Sequence, residues 1–125
     1  MNETSTAAET PFSSPGPGFP AVHLVELAER AAARLMRRDL SPGQNSAAVS
    51  MDVRHLASTD TPFEHWRVTV RRIAARGRLQ EFGIEVFDDN GLIASVVHTR
   101  AVVVEARLLA QARKRAGLPA MLLQV

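Results

Sequence analysis

One stretch limits the fold more than any other. Pro20 to Leu40, PAVHLVELAERAAARLMRRDL, keeps its apolar residues on one face at helical spacing over several turns. At about 100° per residue, Leu24, Leu27, Ala28, Ala31, Ala32 and Leu35 form the centre of an apolar arc. Val22, Val25, Ala33 and Met36 widen it to roughly half of the cylinder, while His23, Glu26, Arg30, Arg34 and Arg37 share the other side. A stripe that wide belongs to a helix covered by a sheet, and its alanines let strands approach closely. Pro20 suits a first turn, where its missing N–H would have no partner anyway. Arg37 and Arg38 suit the negative end of the helix dipole, and Ser41, Pro42 and Gly43 end the helix in a turn. The spacing therefore predicts a helix from about Pro20 to Asp39. Glu29 breaks the pattern, because it projects from inside the arc near Val22, Val25 and Met36. Burying a carboxylate there is costly unless it is paired or protonated, so the position needs a reason.

After the helix the period changes from 3.6 to 2. In SAAVSMDVRHLAS, Val49, Met51, Val53 and His55 share one face, so His55 continues an apolar row. A loop with Pro62 leads to WRVTVRRIAA, where Trp66, Val68 and Val70 alternate with Arg67, Thr69 and Arg71. A turn at Arg76 and Gly77 opens RLQEFGIEVFD, with Phe82, Ile84 and Val86 facing one way, and DDNG at 88–91 is a hairpin signal. LIASVVHTRAVVVEA is the longest and most β-branched segment, which suits a central strand. The predicted strands lie near 47–57, 65–75, 78–88 and 91–106. ARLLAQARKRAG reads as a short surface helix ending at Gly117, followed by an apolar LPAMLLQV that needs covering. One long helix followed by an antiparallel meander is an α+β layer arrangement.

With 125 residues, 46% of them hydrophobic, the chain has material for one core. Residues 1–18, rich in Ser, Thr, Pro and Gly, read as a disordered tail, and 19–125 as a single domain. Fifteen basic residues against 13 carboxylates leave a net charge of +2, with the arginines dispersed, so nucleic acid is not the expected partner. No apolar run is long enough to span a bilayer and no secretory signal is visible, so a cytoplasmic protein without membrane contact is expected. The absence of cysteine removes thiol nucleophiles, disulfides and Cys-type metal sites.

The runs ELAERAAARLMRRDLSPGQNS, VSMDVRHLAST and RIAARGRLQEFGIEVFDDNGLIASVVHTRAVV together resemble the hot-dog-fold thioesterases of the fluoroacetyl-CoA thioesterase type, without gaps from about Val22 to Arg107. The resemblance implies a hot-dog fold, in which the long central helix is wrapped by a curved antiparallel sheet. It also implies acyl-CoA, or an acyl carrier, as substrate, with coenzyme A entering only as part of that substrate and no cofactor. Glu29 and His55 stand at the positions of the family's catalytic glutamate and histidine, and these are the two residues that periodicity marks as polar groups on apolar faces. Two sheets joined edge to edge are implied, with active sites at the subunit interface, so a homodimer or higher homo-oligomer is expected. Three departures stand out. Ala21 replaces the usual Thr or Ser eight positions before the glutamate, with Val22 where proline is common. Ser95, Val96 and Val97 precede His98 where a small glycine is usual, and the Ser/Pro/Gly tail is a poor source of the family's first strand.

For thioester hydrolysis, Glu29 would serve as general base or nucleophile and His55 would orient the carbonyl or water and donate a proton. Backbone N–H groups at the helix start, those of Ala21, Val22 and His23, have no partners within the helix and could form the oxyanion hole. Arg54, Arg67 and Arg71 are the candidates for the coenzyme A phosphates, with nothing in the sequence to choose between them. The alternative to catalysis is a noncatalytic acyl-thioester-binding or interaction module on the same fold, for which Ala21 and the missing strand argue. A hot-dog hydratase is weaker, since the aspartate and histidine motif of that branch is absent. Taken singly, Glu29 is as readily a snorkelling carboxylate and His55 a satisfied strand-end histidine, and His98, within its β-branched row, reads as structural. His23 is near Glu26 and Glu29 in sequence but lies on the polar face, so no metal site is expected there.

Overall fold

In the computed structural model the alternating segments become a meander that curls around one helix. It describes residues 2–6 and 21–123, with side chains from 21 to 117. The elements are β1 (Asn2–Thr6), α1 (Ala21–Arg37), β2 (Gln44–His55), β3 (Arg67–Arg76), β4 (Leu79–Asp88), β5 (Gly91–Val104) and α2 (Glu105–Leu123). All strand pairs are antiparallel, in the order β1-β3-β4-β5-β2. The fold is the α+β hot-dog arrangement.

The arc centre buries as its spacing predicts, with Leu24, Leu27, Ala28, Ala31, Ala32 and Leu35 facing the sheet, and of the flanking residues Met36 is buried with them. They meet the inward rows of four strands, among them Val68, Val70, Phe82, Ile84, Val86, Ala94 and Val96. Ala28, Ala32 and Leu35 are fully covered, which is where small side chains allow the close helix–sheet approach. Phe63, in a single 3-10 turn at Phe63–His65, stacks edge-on against Trp66 at 5.0 Å and closes one end of the core. The Trp66 ring N–H donates to the Thr61 carbonyl at 3.2 Å, so its burial leaves no polar atom unpaired.

Two hairpins set the register of the meander. Gly77 has φ +59 at the first position of the Gly77–Arg78 loop, the left-handed value that a II′ turn demands there. At the next turn the carboxylate of Asp88 accepts from the backbone N–H groups of Asn90 and Gly91, at 2.8 and 3.1 Å, holding the loop closed.

Two expectations are corrected. The disordered tail of 1–18 does not hold for Asn2–Thr6, which pairs with Arg67–Arg71 as β1 and supplies the first strand thought missing. An edge strand is held by main-chain bonds, which a Ser/Thr-rich segment can make without apolar side chains; the rest of that tail lies outside the described residues. The C-terminal helix does not stop at Gly117 but runs to Leu123. Gly117 lacks the left-handed φ that ends a helix, so it continues the turn instead of capping it. Among the described residues no helix is long and apolar enough to cross a membrane.

Candidate active site

Glu29 lies where the helix meets the edge of the sheet. The sheet of its own chain covers the arc centre but leaves the Val22, Val25 and Glu29 side open, so Val22 is 66% exposed and Glu29 is not the buried carboxylate its angular position suggests. Its side chain is half exposed and its Oε1 lies 3.6 Å from the guanidinium of Arg100, whose own side chain is 5% exposed. Val22, Val25, Glu26, Glu29 and Arg100 line one open cavity of about 450 Å³ there.

Arg100 is the residue that sequence reasoning passed over. It sits on the inward row of β5 with Val96 and His98, and the signal that marks Glu29 and His55, a polar residue on an apolar face, marks it equally. Its guanidinium donates to the hydroxyl and the carbonyl of Ser46 on β2, at about 3.0 Å each, and approaches His98 Nε2 at 3.3 Å. Burial draws its pKa down while the Glu29 carboxylate pulls it back up; a guanidinium stays charged throughout. Its buried charge therefore has Ser46 and His98 behind it and Glu29 in front, which is what such a charge requires. His98, fully buried, holds the Ser50 carbonyl through Nδ1 at 2.9 Å, just past the irregularity in β2 between Ala48 and Ser50.

His55 is at the far end of the same edge strand, on its inward row, half-buried and with Nδ1 shielded from solvent. It stands opposite Ala94, whereas Arg100 stands opposite Ala48. Six residues of β5 separate those partners, roughly 20 Å at the rise of a strand. One chain does not bring Glu29 and His55 together. At the helix start, Ala21 and Val22 are exposed and His23 packs edge-on against Phe63 at 4.8 Å. The three arginines expected to meet phosphates are on the opposite face of the sheet from α1. Arg54 reaches Asp52 at 3.5 Å, Arg67 covers the Phe87 ring, and Arg71 shares its cavity with Glu85. That face is turned away from Glu29, because side chains alternate across a strand. Among the described residues no three His, Asp or Glu side chains converge on a point that could hold a metal ion.

The family model described as fluoroacetyl-CoA-specific thioesterase matches residues 1–106. The chain belongs to the fluoroacetyl-CoA-specific thioesterase family. A solved structure of the fluoroacetyl-CoA thioesterase FlK is 25% identical, with a TM-score of 0.78 over 91% of this chain and 93% of that one. A variant of FlK solved with fluoroacetate and CoA is 29% identical over 78% of this chain and 75% of that one, with a TM-score of 0.65. A Thermus thermophilus hypothetical protein, a thioesterase superfamily member, shares the fold at 20% identity, with a TM-score of 0.72 over 96% of this chain and 92% of that one. No curated protein sequence matches the chain.

Proposed function

We propose that this member of the thioesterase family hydrolyses an acyl-CoA thioester at a site shared by two subunits, with Glu29 from one and the partner subunit's His55. The reading rests on one observation: Glu29, through Arg100, stands beside the first half of β2, His55 ends the other half, and β2 is an edge strand of the sheet. Pairing β2 with its own two-fold copy, antiparallel and centred between Val49 and Ser50, lays the partner subunit's His55 opposite Gln44. That is two residues from Ser46, which holds Arg100 beside Glu29. The exposed strip Val22, Val25 and Val49 lies along the same edge and would be covered by this pairing.

In such a site Glu29 takes a proton from water as it adds to the thioester carbon, or attacks that carbon itself and is left as an acyl anhydride that water then hydrolyses to free the acid. The oxyanion that forms is met by the N–H groups of Ala21, Val22 and His23 at the start of α1. Its collapse breaks the carbon–sulfur bond, and His55 gives the departing thiolate a proton. Arg100, beside Glu29, keeps that carboxylate turned toward the cavity.

A panel of acyl-CoA thioesters with a thiol-trapping dye tests the reading. Glu29→Gln and His55→Ala are each expected to cut turnover about a hundredfold or more without changing the circular dichroism spectrum. Ala21→Thr, which restores a hydroxyl at the helix start, is expected to preserve or raise turnover. If the wild type cleaves no thioester, a noncatalytic binding module is the better reading.

A further inference from the structure

Three grooves follow one another along the end of β5. The cavity beside Glu29 shares Ala33 and Arg100 with a second, of about 440 Å³, that passes Arg37 and reaches Gln44. Gln44 also lines a third, of about 320 Å³, closed by Arg78, Val102, Arg107 and Gln111. From Arg100 to Val104 the strand advances roughly 13 Å, a span suited to a flexible pantetheine arm.

The third groove differs from the others in charge. Arg71 shares its cavity with Glu85, and Arg37 and Arg100 share theirs with Glu105. Arg78, in the β3–β4 loop, and Arg107, in the first turn of α2, face the third groove with no carboxylate among its lining residues. Among the described residues neither of the two arginines forms an ion pair. They come from separate elements that the sheet holds in place, since the Arg78 carbonyl accepts from the Val102 N–H at 2.8 Å. Two guanidinium groups in a groove that Val102 and Leu108 also line fit a phosphorylated nucleoside, whose phosphates take the charge and whose base takes the apolar lining.

We infer that the Arg78–Arg107 groove binds the nucleotide end of coenzyme A, the adenosine carrying the 3′-phosphate and the 5′-diphosphate. The inference rests on the reading of Glu29 as the reacting end, because the grooves then carry the pantetheine arm from Glu29 past Arg37 to the two arginines.

Titration of the full chain with adenosine 3′,5′-bisphosphate, in a calorimeter, tests the groove without any turnover. The wild type binds it, and Arg78→Gln with Arg107→Gln weakens binding about tenfold or more. The double variant with lysine at both positions keeps most of it, which rules out a folding defect as the cause. Equal binding by wild type and the glutamine variant, or no binding by the wild type, overturns the inference. In turnover the glutamine variant raises KM for the CoA thioester about tenfold, while KM for the same acyl group on phosphate-free pantetheine stays within about twofold. Equal effects on both substrates would overturn it as well. If arginine-dependent bisphosphate binding is found in a protein that cleaves no thioester, the groove stands and the hydrolase reading is the one that falls.

Discussion

His98 has one hydrogen-bonding arrangement open to it. The Ser50 carbonyl can only accept, so Nδ1 carries the proton, and Nε2 presents its lone pair to the Arg100 guanidinium, which can only donate. Protonating the ring would remove that second contact and set two cations side by side. Burial is the largest influence on its pKa and lowers it below 6.5; the Ser50 carbonyl raises it, Arg100 lowers it again, and Glu29 raises it. Well above pH 6.5 the ring is neutral in folded and unfolded chain alike. Below that value the unfolded chain takes a proton that the folded one refuses, so stability is lost as pH falls from 6.5 through the lower folded value. Urea midpoints measured from pH 7.5 down to 5 are expected to fall in the wild type and to fall less in His98→Asn; equal slopes would contradict this. Glu29, His55 and Arg100 were all legible as polar residues on apolar rows. What periodicity does not carry is which of them meet, and it set Glu29 in a buried arc that is in fact open.

Among the elements, the β4–β5 hairpin depends on one buried carboxylate. Asp88 accepts from the Thr59 hydroxyl at 2.6 Å as well as from Asn90 and Gly91, tying the loop after β2 to the turn. Burial acts to raise its pKa, but the Thr59 hydroxyl and the backbone N–H groups of Asn90, Gly91 and Asp88 itself outweigh it and hold the carboxyl below 3.8. That stabilisation is present above the unfolded value and is lost as pH falls through the folded one. Asp88→Ala is expected to cost about 3 kcal/mol in urea unfolding, the scale of losing several bonds to a buried charge. A cost below about 1 kcal/mol would mean that the turn is held by its backbone alone. The DDNG sequence announced this hairpin, because turn chemistry is local. The bond to Thr59 was not legible, since it joins residues 29 positions apart.

At the scale of the whole molecule, the edge strand β2 and the open side of α1 decide assembly. Light scattering at micromolar concentration is expected to report a dimer, and Val25→Glu, which puts a charge on the exposed strip, is expected to give a monomer with little activity. A sharper measurement mixes inactive Glu29→Gln and inactive His55→Ala proteins after denaturation and refolding. If each site takes one residue from each subunit, half of the random pairs are mixed dimers with one intact site in two. About a quarter of wild-type activity should return. No recovery would mean that the two residues do not work across an interface.

Local periodicity and turn chemistry determined the helix from about residue 20, the arc that faces the sheet, the four strands of the meander and the two polar residues worth attention, because each is a relation among near neighbours in the chain. Tertiary structure alone decided that Asn2–Thr6 completes the sheet, that α2 continues through Gly117, that Arg100 stands against Glu29 and that His55 lies roughly 20 Å along the strand from it. Periodicity tells which residues share a face. Strand order and register decide which faces meet, and which one is left open for another molecule.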